Sequence, residues 1–336
     1  MKKEDGVPST NLFQLLKCAF TLHPSPFTLY PSLLAVLFLV APSGAAPQAF
    51  DPPPVQSHEV HGDESRDVPK TFVDMTPAVL AKAVPELKHL QPAENQDMLP
   101  QILERVGAGV AAFFDGFPNT TCTEHVTSMV DGPSHVDSLL RNNRYNYLAL
   151  AQPGAAKGRL QEFRADARGK PVQPDAESEI VIVTSGFVAM SVHFHPDYQA
   201  DSSFRYLGRE SMEKQDSYVV AFAQRPAVAR QVAHAEAGGR SGIVFMQGVA
   251  WIDPVSFRIL RLHTDTQQPE VNTGLRKETT QVVYSEVSFR QGGKTLWLPL
   301  EVTVTGQLGR YSFYNQHRYS DYRLFNVEVE QKHDNP

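Results

Sequence analysis

The stretch GIVFMQGVAWIDPVSFRILRLHTD (residues 242–265), together with TTQVVYSEVSFRQGGKTLWLPLEVTVT (279–305), decides the predicted fold. Apolar side chains alternate with polar ones along much of both runs, and Asp253 and Pro254 provide a turn inside the first. A period of two bounded by turn residues is typical of antiparallel strands with one buried face and one wet face. We therefore expect successive β-hairpins, and no motif for chemistry interrupts them.

The same period assigns particular side chains to the buried face. On the first strand Phe245 and Trp251 project to one side, and Ile259 follows on the return strand after the turn. Leu298, Leu300 and Val302 share one face of a later strand by the same rule. We predict that six residues line an apolar ligand-binding hollow: Phe245, Trp251, Ile259, Leu298, Leu300 and Val302. The alternative is that they are packing residues of an ordinary filled core.

Composition excludes several classes of function. The chain has 336 residues, of which 41% are hydrophobic and 20% charged, so a soluble core can form. Its formal net charge of -6 and the lack of a basic stripe argue against a nucleic-acid partner. The same charge gives no reason to expect binding to an anionic lipid surface.

Residues 1–46 are predicted to be a signal peptide. Residues 33–41 form a short apolar run, and the small residues 43–46 that follow are what a signal peptidase cleaves after. About nine apolar residues are too few for the roughly 20 that cross a bilayer. We therefore expect a periplasmic or secreted protein with no integral membrane span after cleavage. A retained N-terminal anchor, with its helix extended back to Phe27, is the alternative.

The mature chain is predicted to have three parts. Residues 47–72 are rich in proline and charge and indicate a disordered linker. Residues 73–118 form a helical lid region, with one helix starting at Pro77 and a second running from Asn95 to Asp115. Residues 119–330 form an antiparallel β domain of about eight to eleven strands. Because strands follow strands without intervening helices, the predicted fold class is α+β with a curved antiparallel sheet and covering helices.

One segment of the sequence resembles a known bacterial superfamily. A strand that ends in Trp251-Ile252-Asp253-Pro254 and turns directly into a second strand is similar to the layout of outer-membrane lipoprotein-sorting proteins, which include LolA-like and LolB-like carriers and RseB-like sensor domains. Residues 117–122, after a helix, also resemble a group of secreted bacterial proteins with such a domain. The resemblance covers roughly residues 95–330. It implies an incomplete, strongly curved barrel whose apolar hollow holds lipoprotein acyl chains, but it transfers no functional residue.

Candidate chemical groups are sparse. His193 and His195 flank Phe194, and with Asp197 they could begin a metal site, but a zinc site needs further ligands that the sequence does not nominate. We expect a surface histidine pair at a helix end instead, and no metal or cofactor. Cys122 is the lone cysteine of the predicted mature chain and is expected to be a small buried hydrophobe.

These observations predict a non-enzymatic exported module that binds an apolar ligand, either a lipid or a lipoprotein acyl chain. An envelope protein-interaction or sensing domain on the same fold is the main alternative. A hydrolase is less favoured, because no pair of carboxylates and no nucleophile beside a base stands out.

Overall fold

The structure is a computed structural model. It describes residues 70–132, 139–151, 160–172, 187–188, 190–212, 215–237, 240–289 and 293–324. The predicted signal peptide and most of the predicted linker lie outside these residues. A short strand predicted at 180–184 and the last residues of the predicted β domain lie outside them as well.

Proline and glycine place the ends of the helices. Pro77 opens the helix Pro77–Ala83 (α1), and Pro85 opens the 3-10 helix Pro85–His89. Proline has no N–H and a fixed φ, so it suits a first turn and interrupts a helix already under way. Helix α1 accordingly ends before Pro85. The remaining helical segments are Leu99–Asp115 (α2), a second 3-10 helix Met190–Phe194, and Pro196–Gln199 (α3).

Helix α2 is amphipathic and ends at Gly116. Val106 is 1% exposed and Val110 7%, whereas Glu104 on the opposite side is exposed. This confirms the predicted orientation of the helix, which begins at Leu99, four residues later than expected. Its apolar stripe recurs at helical spacing and packs against the sheet.

The described strands are mostly long and connected in sequence. They are β1 Gln91–Pro92, β2 Thr120–Asp131, β3 Leu139–Ala151, β4 Leu160–Ala165, β5 Ser202–Met212, β6 Gln215–Gln224, β7 Ala233–Ala237, β8 Arg240–Val244, β9 Met246–Ile252, β10 Ile259–Thr266, β11 Leu275–Ser288, β12 Thr295–Leu308 and β13 Tyr311–Leu324. The hairpins predicted from the alternating runs are therefore present.

Eleven of these strands form one sheet in the order β1-β5-β6-β9-β10-β11-β12-β13-β2-β3-β4. Every pairing in it is antiparallel, and the two end strands β1 and β4 do not pair with each other. The predicted fold class, an antiparallel sheet not closed into a barrel with a few covering helices, is confirmed. Strands β7 and β8 form a separate two-stranded sheet within the segment that follows β6.

The sheet is buried on both faces over its first third. Alternate residues of β5, β6 and β9 belong to two different apolar clusters, so the two clusters lie on opposite faces. The larger cluster contains Val220 and Ala250, and the smaller one contains Val219 and Trp251. We call these the inner face and the outer face. The prediction of one buried and one wet face is therefore wrong for β6 and β9, whose apolar runs are nearly continuous.

Residues 72–90, which we call the outer cover, pack on the outer face of β5, β6 and β9. Leu80 and Val84 are fully buried there, and Phe72, at the last position of the predicted linker, is 2% exposed. Only α2 from the predicted lid region lies over the inner face, where α3 and the 3-10 helix Met190–Phe194 also pack.

Candidate ligand-binding face

Three of the six predicted site residues meet on the inner face. Ile259, Leu298 and Val302 all belong to the inner cluster, and Leu298 and Val302 are fully buried. They come from β10 and β12, which lie on either side of β11. Alternation of side chains along these strands therefore brings half of the predicted set to one face of the sheet.

Trp251 lies on the outer face, not with the other predicted residues. Its Nε1 donates a hydrogen bond of 2.6 Å to Glu210 Oε2, and its ring packs in the outer cluster. Its neighbour Ile252 faces inward instead. The sequence does not indicate which of Trp251 and Ile252 faces inward. Both faces of β9 are buried, so apolar and polar residues do not alternate along the strand.

Phe245 and Leu300 also differ from the prediction. Phe245 lies between β8 and β9, outside either strand, and is half-buried. Leu300 is 48% exposed. On β11, Val283 pairs with Glu301 and Tyr284 with Pro299, so Leu300 has no partner there. This β-bulge turns the Leu300 side chain away from the inner cluster.

The histidines near α3 are not a surface pair. His195 is 2% exposed and caps α3, its Nδ1 accepting a 3.2 Å hydrogen bond from Asp197 N. His193 is half-buried and stacks on Phe222, with ring centroids 4.9 Å apart. Burial lowers the pKa of His193 to about 4, so it is neutral at pH 7. The two rings are tied into packing, which corrects the prediction.

A buried polar network crosses β2, β4 and β13 on the inner face. Glu124 has no exposed surface. Its carboxylate accepts hydrogen bonds from Arg164 Nε at 2.5 Å and Arg164 Nη2 at 2.8 Å. Tyr319 donates its hydroxyl to Glu124 Oε1 at 3.1 Å, and His317 Nδ1 lies 2.9 Å from the same oxygen. The four carboxylate contacts come from β13, which pairs with β2, and from β4, which lies beyond β3 on the other side of β2.

Burial and the hydrogen bonds within the network determine which of its groups are ionised. Burial alone would raise the pKa of Glu124, but the hydrogen bonds with His317 and Arg164 outweigh it and lower the pKa to about 2. Burial lowers the pKa of His317 in spite of its bond to Glu124, so a neutral imidazole donates from Nδ1. The result is one internal ion pair with a neutral histidine beside it. It orders the sheet and offers no free base.

Not all inner polar atoms are satisfied. Tyr284 on β11 is 8% exposed, and its hydroxyl has no hydrogen-bond partner among the described residues. Thr264 on β10 is fully buried, and its Oγ1 is also without a partner within the described part of the chain. Burial raises the pKa of Tyr284, so it keeps its proton and is a donor at neutral pH. Each orphaned hydroxyl can therefore accept or donate to another molecule.

Strand β11 presents its inner side chains in a row. Val282 belongs to the inner cluster, so Thr280 and Glu278, at two-residue steps, share its face. Glu278 is half-buried, and desolvation by burial raises its pKa to about 7. Glu278 and Tyr284, with its orphaned hydroxyl, are thus six residues apart on one strand, which places their Cα atoms about 20 Å apart.

Two kinds of chemistry find no support in these residues. Burial raises the pKa of the Cys122 thiol, so it is a poor nucleophile, in keeping with the expected packing role. Within the described ranges no group of His, Cys, Asp and Glu is arranged to hold a metal ion. Among the same residues no helix is both long and apolar enough to span a membrane.

Sequence reasoning missed the polar network and the β11 row. Neither Glu124 nor Arg164 was predicted to be buried or paired, although Glu124 lies in phase with the apolar residues Cys122 and Val126. The sequence offered one indication, a charged residue at a strand position where alternation predicts an apolar one. The identity of its partners was not available, since they are 40 and more residues distant.

Comparisons with known proteins give only structural likenesses. No protein-family model matches the chain. No curated protein matches it either. Similar solved structures include a LolA superfamily protein from Nitrosomonas europaea, with 16% identity, a TM-score of 0.32, and coverage of 68% of this chain and 94% of that one. A DUF1329 family protein from Desulfovibrio piger has 10% identity, a TM-score of 0.32 and coverage of 67% and 94%. An outer membrane lipoprotein-sorting protein domain from Vibrio parahaemolyticus has 13% identity, a TM-score of 0.33 and coverage of 68% and 94%. TM-scores of this size carry no argument about what the chain binds.

Proposed function

We propose that the chain is a non-enzymatic binding module that holds an apolar ligand, a lipid or a lipoprotein acyl chain, against the inner face of its sheet. The observation that carries this proposal is the orphaned hydroxyl of Tyr284, which lies in the inner apolar cluster. A buried polar group without a partner costs about 1–3 kcal/mol, so native proteins rarely keep one without a reason. A ligand oxygen that accepts from this hydroxyl supplies the reason.

The environments of the His193 and Glu278 side chains support the proposal that a ligand can reach this face. Both side chains keep accessible surface, yet burial lowers the pKa of His193 to about 4 and raises the pKa of Glu278 to about 7. Side chains that protein surrounds on most sides while some surface stays open are typical of the walls of a ligand pocket.

The test compares lipid uptake with folding stability. Purified mature protein is first stripped of lipid and then titrated with a neutral fluorescent fatty alcohol. We expect Tyr284→Phe to weaken uptake about 5- to 10-fold, the worth of one hydrogen bond of about 1 kcal/mol. The melting temperature of ligand-free protein should stay the same or rise, because the substitution removes an unsatisfied buried group.

Tyr314→Phe, a half-buried position of β13 outside the inner cluster, is the matched control and should bind as the wild type does. Unaltered uptake by Tyr284→Phe would remove this hydroxyl from the site. Wild-type protein that takes up no lipid would overturn the proposal and leave the envelope interaction or sensing role in its place. Turnover of an ester substrate by the wild type would restore the hydrolase alternative.

A further inference from the structure

We propose that Glu278 is a second recognition group on the inner face and that it binds a cationic nitrogen, so that the ligand is an amphiphile bearing a protonated amine. This inference rests on the proposed binding function and adds the chemical class of the ligand.

The position of Glu278 is defined by its cross-strand neighbours. It pairs with Gly306 on β12, which in turn pairs with Phe313 on β13. A Cβ on Gly306 would lie 2.4 Å from Cζ of the Phe313 ring, so the ring covers the glycine on the inner side. Directly paired residues project to the same face, and the Glu278 carboxyl therefore stands beside this ring, on the inner side.

No protein charge balances the carboxylate of Glu278. Among the described residues no hydrogen bond or ion pair joins its side chain to another group, although its backbone N–H donates to Thr266 Oγ1 at 3.2 Å. Lys277, its neighbour in sequence, is bound at 3.0 Å to Asp265, away from the inner face. Arg276 is exposed where the β11 register shifts.

The environment of the Glu278 carboxyl favours a ligand with a positive charge over one with a negative charge. Desolvation is the only cause that raises the pKa of Glu278, and no neighbouring charge opposes it. An ionised carboxylate in such a place gains most from a cation that enters with the ligand, whereas a ligand carboxylate would be repelled. The apolar ring of Phe313 beside it excludes water and strengthens the attraction.

The test uses three probes of equal chain length, dodecylamine, dodecanol and dodecanoate, each displacing a neutral fluorescent fatty alcohol from the full mature protein at pH 8. We expect the wild type to bind the amine at least 10-fold more tightly than the alcohol, because a charge-assisted hydrogen bond is worth about 1.5–3 kcal/mol. Glu278→Gln keeps the side-chain volume and should abolish that preference while leaving the affinity for dodecanol unchanged.

Glu286→Gln makes the same change at an exposed position of the same strand and should retain the amine preference. Equal affinity of the wild type for amine and alcohol would overturn the assignment while the proposed function stands. Loss of dodecanoate binding in Glu278→Gln would also overturn it, since the carboxyl would then act as a protonated donor to an acid. A wild type that binds none of the probes would instead overturn the proposed function itself.

Discussion

Two arginine–glutamate pairs in this protein differ mainly in burial. Arg164 and Glu124 have side chains 7% and 0% exposed, whereas Arg318 and Glu301 on β13 and β12 are 64% and 37% exposed. An exposed pair contributes little because water screens the charges and the side chains lose freedom on pairing. Removal of one partner from a buried pair leaves an uncompensated charge.

We therefore expect Arg164→Met to destabilise the fold by about 3–5 kcal/mol and Arg318→Met by less than about 1 kcal/mol. Urea unfolding of both variants at pH 7 measures the difference. Equal effects of the two substitutions would show that the Glu124 network does not hold β2, β4 and β13 together.

Among the elements, β12 shows how one inserted residue changes the role of its neighbours. Val302 is fully buried on the inner face, and Leu300, two residues away, is 48% exposed on the bulge. Without the bulge both side chains would share one face.

Leu300→Asp should consequently be tolerated, with a stability change within about 0.5 kcal/mol, because its side chain already meets water. Val302→Asp buries an unpaired carboxylate and should cost several kcal/mol. Thermal unfolding of the two variants is the measurement. If Leu300→Asp unfolds the protein and Val302→Asp does not, the register of β12 and β11 is wrong.

The outer cover is tied to the sheet by a histidine between two carboxylates. His263 Nδ1 lies 3.4 Å from Glu86 of the cover, and its Nε2 lies 3.3 Å from Asp265 of β10. Burial alone would lower the pKa of His263, but its bonds to Asp265 and Glu86 outweigh burial and raise the pKa above 6.5. A raised histidine pKa gives stabilisation that is complete below the unfolded value and is lost as pH rises through the folded value.

Amide exchange of residues 77–89, corrected for intrinsic rates, should therefore show weaker protection at pH 8 than at pH 6. In His263→Gln the protection should be low at both values and the pH dependence should vanish. His89→Gln, at an exposed position of the cover itself, is the control. A pH dependence that survives in His263→Gln would assign it to another group.

For the whole molecule, the predicted export depends on residues 1–46, which lie outside the described ranges. We expect N-terminal sequencing of protein from a bacterial envelope to find a start within residues 46–48, because the apolar run is short and small residues follow it. A mature chain that still carries residues 33–40 would establish a retained anchor. A cleaved chain is consistent with a ligand met outside the cytoplasm.

The sequence by itself determined the strands, the turns and the amphipathic face of α2, because these depend on local periodicity and on proline and glycine. It also placed Ile259, Leu298 and Val302 together, since alternation is enough on strands with one buried face. Only the tertiary structure decided which face Trp251 occupies. Strand β9 is buried on both sides, so its sequence has no alternation of apolar and polar residues that would assign a face. The tertiary structure alone brought Glu124 to Arg164 and His317, and left the Tyr284 hydroxyl and the Glu278 carboxyl without partners among the described residues, since those outcomes depend on strand order and register across the sheet. Pairing between distant strands, unlike local periodicity, cannot be predicted from any one segment of the chain.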